Sequence, residues 1–365
     1  MKSLLTVAAL VAVSLSPLGG QEKTTNVILV SMDGFRWEEL FGGAVDSLMN
    51  DLTYVKDFDT TYLQENYGGE SPEERRQKLM PWMWSMVAEQ GQIYGNQWLG
   101  NKVRCSNSHW FSYPGYNELL VGFSDPNITS NAKTYNVNVT VLEWLNNQPQ
   151  LQGKVAAFAS WDVFPYIIND VRSGIPVNAG FRKASGPNLS EKEKILNQLI
   201  DEIPSPWSSV RLDAFTHHYM MEYLRKEHPR VVYIAYGETD DFAHDGEYDH
   251  YLQSAHQTDK WLRQLWSFLQ EDDFYRDQTT MIITTDHGRG SSPKAEWQSH
   301  GKTYEGSPFI WIAIIGPDTA PLGEIDIDER LFQNQVAKTM AHLLGYDYSN
   351  ERGEVGPVVE RMIHH

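Results

Sequence analysis

Five apolar runs, each closing on residues of a different character, set the pattern of this chain. Asn26–Ser31 leads into Asp33, Lys154–Ser160 into Asp162, Arg230–Tyr236 into Glu238 and Asp240, Thr280–Thr285 into Asp286 and His287, and Phe309–Ile315 into Gly316. Runs this continuous predict strands buried on both faces. Between them, Val141–Asn147, Glu191–Ile203, Leu212–Glu227, Tyr248–Gln270 and Glu329–Leu344 carry apolar residues at spacings of three and four, which predicts helices. The alternation predicts an α/β fold, a mostly parallel central sheet with helices on both faces. Working residues of such sheets collect beyond the carboxyl ends of the strands. The Asp and His residues stand there. Segments 40–77 and 170–207 break the alternation and read as lid insertions over the site.

The amino terminus has a pattern of its own. Lys2 precedes an apolar run from Leu4 to Leu15, and Ser16, Pro17, Gly19 and Gly20 follow. This predicts a secretory signal peptide over 1–20, a single domain over 21–365, and a periplasmic or secreted location. The run is shorter than the roughly 20 residues that span a bilayer, and no later segment is long and apolar enough to do so, so no stable membrane span is expected after cleavage. The formal net charge of −18 argues against a nucleic-acid duplex as partner, because nothing would neutralise its phosphates. It leaves room for a small phosphorylated substrate held by bound cations. Cys105 is the only cysteine, so there is no intrachain disulfide and no thiolate zinc site.

The candidate chemistry lies at the predicted strand ends. Asp33 follows the first strand, Asp240 and His244 follow another at i, i+4, Asp286 and His287 follow a third, and His300 comes shortly after. Carboxylate oxygen together with imidazole nitrogen suits Zn²⁺, with Mn²⁺ as the second choice. Any one of these alone reads better as a helix cap or a hydrogen-bonded histidine. Their coordinated placement is what points to metal. Ser112 stands two residues before Pro114 at the head of an amphipathic stretch closing on Gly122, which suits a nucleophile at a helix start. A plain N-cap is the alternative reading. Phe35, Trp37, Tyr113 and Tyr116 flank these positions and are candidates for stacking on substrate or for packing in the core.

This arrangement resembles the alkaline phosphatase superfamily, and within it the type I phosphodiesterase / nucleotide pyrophosphatase-like branch and its bacterial phosphatase relatives. The likeness rests on Val27–Asp33, on Ser112 to Gly122, on Asp240-x-x-x-His244, on Thr285-Asp286-His287-Gly288 and on His300-Gly301. It implies two divalent metal ions. Asp240, His244 and His300 would hold one, and Asp33, Asp286, His287 and Ser112 the other. It also implies that Asn131 donates to a phosphoryl oxygen. The expected reaction is phosphoric ester hydrolysis through a phosphoserine at Ser112, since paired ions clamp the attacking and leaving oxygens of an in-line displacement.

The family's phosphodiesterases carry Thr as nucleophile and Pro-Asn after it. Ser112 and Pro114-Gly115 tilt this chain towards a phosphomonoesterase, with phosphodiesterase/nucleotide pyrophosphatase as the alternative and a non-enzymatic phospho-ligand-binding protein as a third reading. Lys133 is the candidate cation for the extra charge of a monoester. Tyr116 stands where a sulfatase would have Arg. The stretch between Ser112 and Asp240 leaves no room for the inserted domain of a phosphoglycerate mutase.

Overall fold

The structure is a computed structural model that describes residues 23–292 and 294–364. The expected signal peptide over 1–20 lies outside the described residues. Eight strands form the main sheet: β1 (Asn26–Met32), β2 (Gln92–Tyr94), β3 (Val155–Ala159), β4 (Val177–Ala179), β5 (Val231–Tyr236), β6 (Thr279–Thr284), β7 (Ile312–Ile315) and β8 (Gly323–Glu324). Their order is β8-β2-β7-β6-β1-β5-β3-β4. From β6 to β4 all neighbours are parallel, whereas β7 is antiparallel to both β6 and β2. The fold is the expected α/β sheet, mostly parallel, with a reversed strand towards one edge.

Both faces of the sheet are buried, which is why its strands read as unbroken apolar runs. Ile28, Val30 and Met32 of β1 join one apolar core, and Val27 and Leu29 join the other, following the two-residue alternation of a strand. Segment 40–77 supplies short helices whose Leu40, Phe41, Leu48, Met49, Leu63 and Tyr67 enter the first of these cores. Segment 170–207 contributes the edge strand β4 and the helix Glu191–Glu202, closed at its start by a reciprocal Ser190–Glu193 capping box.

Two expectations are corrected. The run Phe309–Ile315 is two strands. Phe309–Ile310 pairs with Lys102–Arg104 in a separate three-stranded sheet, and only Ile312–Ile315 enters the main sheet. The stretch Glu329–Leu344 is not one helix. Arg330–Phe332 pairs parallel to Lys102–Arg104, and the α-helix runs only from Val336 to Leu343.

The register sets the level of the site. Ser31 of β1 lies beside Ala235 of β5 and Thr284 of β6. Asp33, Gly237 and Asp286 each follow two residues later, so three adjacent parallel strands deliver their next residues to one place.

Candidate metal centre and nucleophile

Helix α1 (Ser112–Val121) and helix α2 (Glu238–Asp245) bring the remaining groups to that place. The turn into α1 is built by Glu118, whose buried carboxylate accepts from the Ser106 and Asn107 backbone N–H groups, each at 2.7 Å. Asn107 Oδ1 in turn accepts from the His109 and Trp110 N–H groups. That bonding holds Trp110 at φ 54, a left-handed conformation unusual for a bulky residue, just ahead of Ser112. Helix α2 is fixed from a distance. Asp213 accepts from the Gly237 and Glu238 N–H groups at 2.8 and 3.0 Å, in place of a local cap.

Two sets of ligand-type atoms result. Asp240, His244 and His300 each offer one atom within 4.8 Å of the others. His244 Nε2 stands 2.9 Å from His300 Nε2 and 3.2 Å from Asp240 Oδ2. Asp33, Asp240 and His287 form the second set. His287 Nε2 is 3.3 Å from Asp33 Oδ1, 3.5 Å from Asp286 Oδ2 and 3.9 Å from Asp240 Oδ1. The six Asp and His candidates are therefore neighbours, and the Asp240 carboxylate stands between the two sets.

The orphaned atoms show what this arrangement fits. Asp33 Oδ1, Asp286 Oδ2, His287 Nε2 and His300 Nδ1 are buried without a hydrogen-bond partner. Their sister atoms on three of these side chains are committed elsewhere. Tyr116 Oη donates to Asp33 Oδ2 at 2.8 Å, the Gly34 N–H donates to Asp286 Oδ1 at 3.1 Å, and His287 Nδ1 donates to the Gly288 carbonyl at 2.9 Å. The last bond commits Nδ1–H, so Nε2 is the nitrogen that faces the carboxylates and would bind a metal on giving up its proton. Unpartnered buried polar atoms are costly, and a divalent cation would satisfy several of them at once.

The charges agree. Burial, and then Asp240, push the Asp33 carboxyl up, and burial with Asp33 pushes Asp286 well up. Burial works against His287, but Asp286 and Asp33 prevail and raise it to about 9. Asp240 differs. Burial pushes it up, yet Arg289, His244 and His300 outweigh this and hold it well below the ordinary carboxylate range.

Ser112 is the first residue of α1 and is buried. One turn along, the same helix touches both Asp33 and Asp286. Tyr116, at i+4 and so on the Ser112 face, bonds Asp33. A side chain on Gly115 would collide with the Asp286 backbone. Asn131 is exposed and lies at the mouth of α1, where its Oδ1 accepts from the Tyr113 N–H at 3.0 Å. It caps the helix with its carbonyl and keeps its amide N–H₂ for another partner. Lys133 Nζ lies 2.6 Å from Asp162 Oδ2, just past the end of β3.

Sequence reasoning missed or misplaced several residues. Phe35, Trp37, Tyr113 and Tyr116 are all buried, so they pack rather than stack on substrate, and Tyr116 serves as a hydrogen-bond donor to Asp33. The i+4 spacing of Tyr116 from Ser112 was the available signal. Arg289 was overlooked. It is fully buried, and its guanidinium pairs with Asp240 Oδ1. His250 and His256 stay outside the site, bonded to Asp57 and to the Leu79 carbonyl.

Among solved structures, alkaline phosphatase PafA is similar at 10% identity, covering 94% of this chain and 99% of that one with a TM-score of 0.58. The phosphonate monoester hydrolase of Agrobacterium radiobacter gives 13% identity, coverage of 93% and 77%, and a TM-score of 0.52. The lipoteichoic acid synthase LtaP from Listeria monocytogenes gives 13%, 90%, 74% and 0.53. Identities this low speak for the fold alone. A comparison with curated proteins yields no match. The matching family pattern, on this fold, makes the chain a hydrolase of the alkaline phosphatase superfamily. Within it, the chain belongs to the type I phosphodiesterase / nucleotide pyrophosphatase family, whose pattern matches residues 81–343.

Proposed function

We propose that this protein is an exported two-metal phosphoric ester hydrolase that works through a phosphoserine at Ser112 and prefers monoesters. The observation that carries this reading is the pair of adjoining Asp/His sets, with their orphaned atoms, packed against the helix that Ser112 heads. Asp240, His244 and His300 would hold one ion, and Asp33, Asp286, His287 and Ser112 the other. The mixed oxygen and nitrogen donors suit Zn²⁺ best and Mn²⁺ next. Bound there, such ions supply charge neutralisation on the phosphoryl group and acidify a coordinated hydroxyl.

The chain's own groups perform the rest. Ser112 Oγ gives its proton to solvent water and attacks phosphorus. The Oγ–P bond forms as the bond to the ester oxygen breaks, and that oxygen leaves with the electron pair and takes a proton from water to become an alcohol. Asn131, its carbonyl fixed by Tyr113, offers its amide N–H₂ to a non-bridging oxygen. Water then attacks the phosphoserine, regenerates Ser112 and releases phosphate. Ser112 in place of Thr favours a monoesterase, whereas Lys133 is paired with Asp162 past the end of β3. The amino-terminal apolar run supports export.

The second reading, a phosphodiesterase or nucleotide pyrophosphatase, is favoured by the family match itself. Parallel kcat/KM values on p-nitrophenyl phosphate and bis-p-nitrophenyl phosphate decide between them. The monoester is expected to be the better substrate. A preference for the diester would establish the second reading, and no turnover of either by metal-loaded protein would leave a binding protein.

A further inference from the structure

Arg289 is an unusual neighbour for a cation site. It is fully buried, so it reaches neither solvent nor substrate. Its guanidinium is spent on three partners. Nε donates to the Trp297 carbonyl at 2.9 Å, Nη2 donates to the Gln298 carbonyl, and Nη1 pairs with Asp240 Oδ1. A side chain at Gly34 would stand 2.7 Å from Asp240 Oδ1 and 2.8 Å from Arg289 Nη1, so the missing Cβ of Gly34 makes room for this pair. The φ of +57 at Gly34 further favours glycine there. The two carbonyls that anchor the guanidinium belong to residues just ahead of His300, so one side chain ties the Asp240 carboxylate to the loop that carries His300.

We infer that Arg289 is a positioning residue of the set formed by Asp240, His244 and His300. It occupies Asp240 Oδ1 and leaves Oδ2, 3.2 Å from His244 Nε2, as the oxygen presented with the two imidazoles. Asp240 would thereby offer a single oxygen to an ion held by this set. The anchored fork sets the separation of Asp240 from His300, whose Nε2 lies 3.6 Å from Asp240 Oδ1. Groups that hold a ligand by hydrogen bonding are worth about 10–100-fold in metal affinity, and a lysine cannot reproduce a three-way planar fork.

The inference rests on the two-metal reading, and metal binding tests the two separately. Metal-depleted full-length protein is titrated with Zn²⁺ against a chromogenic chelator, with thermal melting in parallel. Wild type is expected to bind two ions. Arg289→Met should weaken one by about 10–100-fold and leave the other within a few-fold. Arg289→Lys should fall between them. His244→Ala should remove the same ion, and adding Arg289→Met to it should not weaken the ion that remains. Unchanged affinities in Arg289→Met would overturn the inference, as would an equal fall at both sites with a lowered Tm, which marks a merely structural residue. Should Arg289→Met fail to fold, wild-type affinities in Arg289→Lys would overturn it equally. If wild type itself binds no Zn²⁺, the two-metal reading fails instead.

Discussion

Replacing Gly115 by alanine tests how the nucleophile is placed. Gly115 lies inside α1, where alanine normally stabilises a helix by about 0.5–1 kcal/mol. Here the new Cβ would stand 3.0 Å from the Asp286 carbonyl carbon and closer still to its oxygen. Carbon atoms in contact sit about 3.5–4.0 Å apart, so helix and strand end must separate by roughly 0.5–1 Å. Overpacking of that kind costs about 1–3 kcal/mol, which exceeds the helix gain and reverses its sign. The Asp286 carbonyl is held from behind by Gln333 Nε2 at 2.8 Å, so the helix is the part free to move. Ser112 moves with it. A misplacement near 1 Å costs about 100-fold in rate. Gly115→Ala should therefore lower kcat on p-nitrophenyl phosphate by about 10–100-fold and lower Tm, while elemental analysis finds the metal content kept. Wild-type kcat with an equal or higher Tm would show that α1 does not bear on Asp286 in solution. Loss of metal with the activity would show that the strand end, not the helix, gives way.

Ser112→Ala should cost about 10³-fold or more in kcat while Asp33, Asp286 and His287 keep most of the metal, and Ser112→Thr should retain part of the rate. Near wild-type turnover by the alanine variant would make water the attacker. The purified protein should carry about two divalent ions per chain, and chelation should abolish turnover until zinc or manganese is restored. Full activity in a sample with one ion or fewer would refute the pairing. Burial, and then His218, push the His217 imidazole down to about 3. As pH falls below about 6.5 the unfolded chain takes up a proton that the native site refuses, so stability drops by about 2 kcal/mol at pH 5. Urea titrations at pH 7.5 and 5 should show that loss reduced in His217→Gln, and an equal loss in both proteins would exclude this group as its source.

The parallel strands were legible because each is buried on both faces and long enough to show it. The three-residue strands β2 and β4 are too short for periodicity to speak, and pairing alone makes them strands. Arg330–Phe332 reads as the start of a helix because Phe332, Val336 and Met340 fall at helical spacing. Its partner Lys102–Arg104 lies more than 200 residues away, beyond any local pattern. Phe309–Ile315 hides a break for the same reason. Trp311, between the two strands, is as apolar as its neighbours, and its indole N–H is used up on the Phe35 carbonyl. The metal-ligand candidates were visible because their chemistry is concentrated at strand ends. The groups that orient them were not, since an arginine after Gly288, a tyrosine in α1 and an aspartate ahead of β5 look ordinary until the fold assembles them.

That difference separates the buried acids of this protein by purpose. Asp249 accepts from the Lys56, Asp57 and Phe58 N–H groups, and Asp259 from those of Trp82 and Met83. Glu39 pairs with Arg36. Each of these carboxylates closes a local gap in the backbone or in the charge balance. Asp33, Asp240 and Asp286 do the opposite, because the register of β1, β5 and β6 sets three carboxylates side by side and burial makes their repulsion expensive. Arg289 relieves only Asp240. Asp33 and Asp286 keep an unpartnered oxygen each, both within 3.5 Å of the same imidazole nitrogen. A sequence selected for stability alone would have removed one of the three acids. Their retention at one point, with donors already assigned to every oxygen except those facing inward, is what a cation site requires and what packing does not.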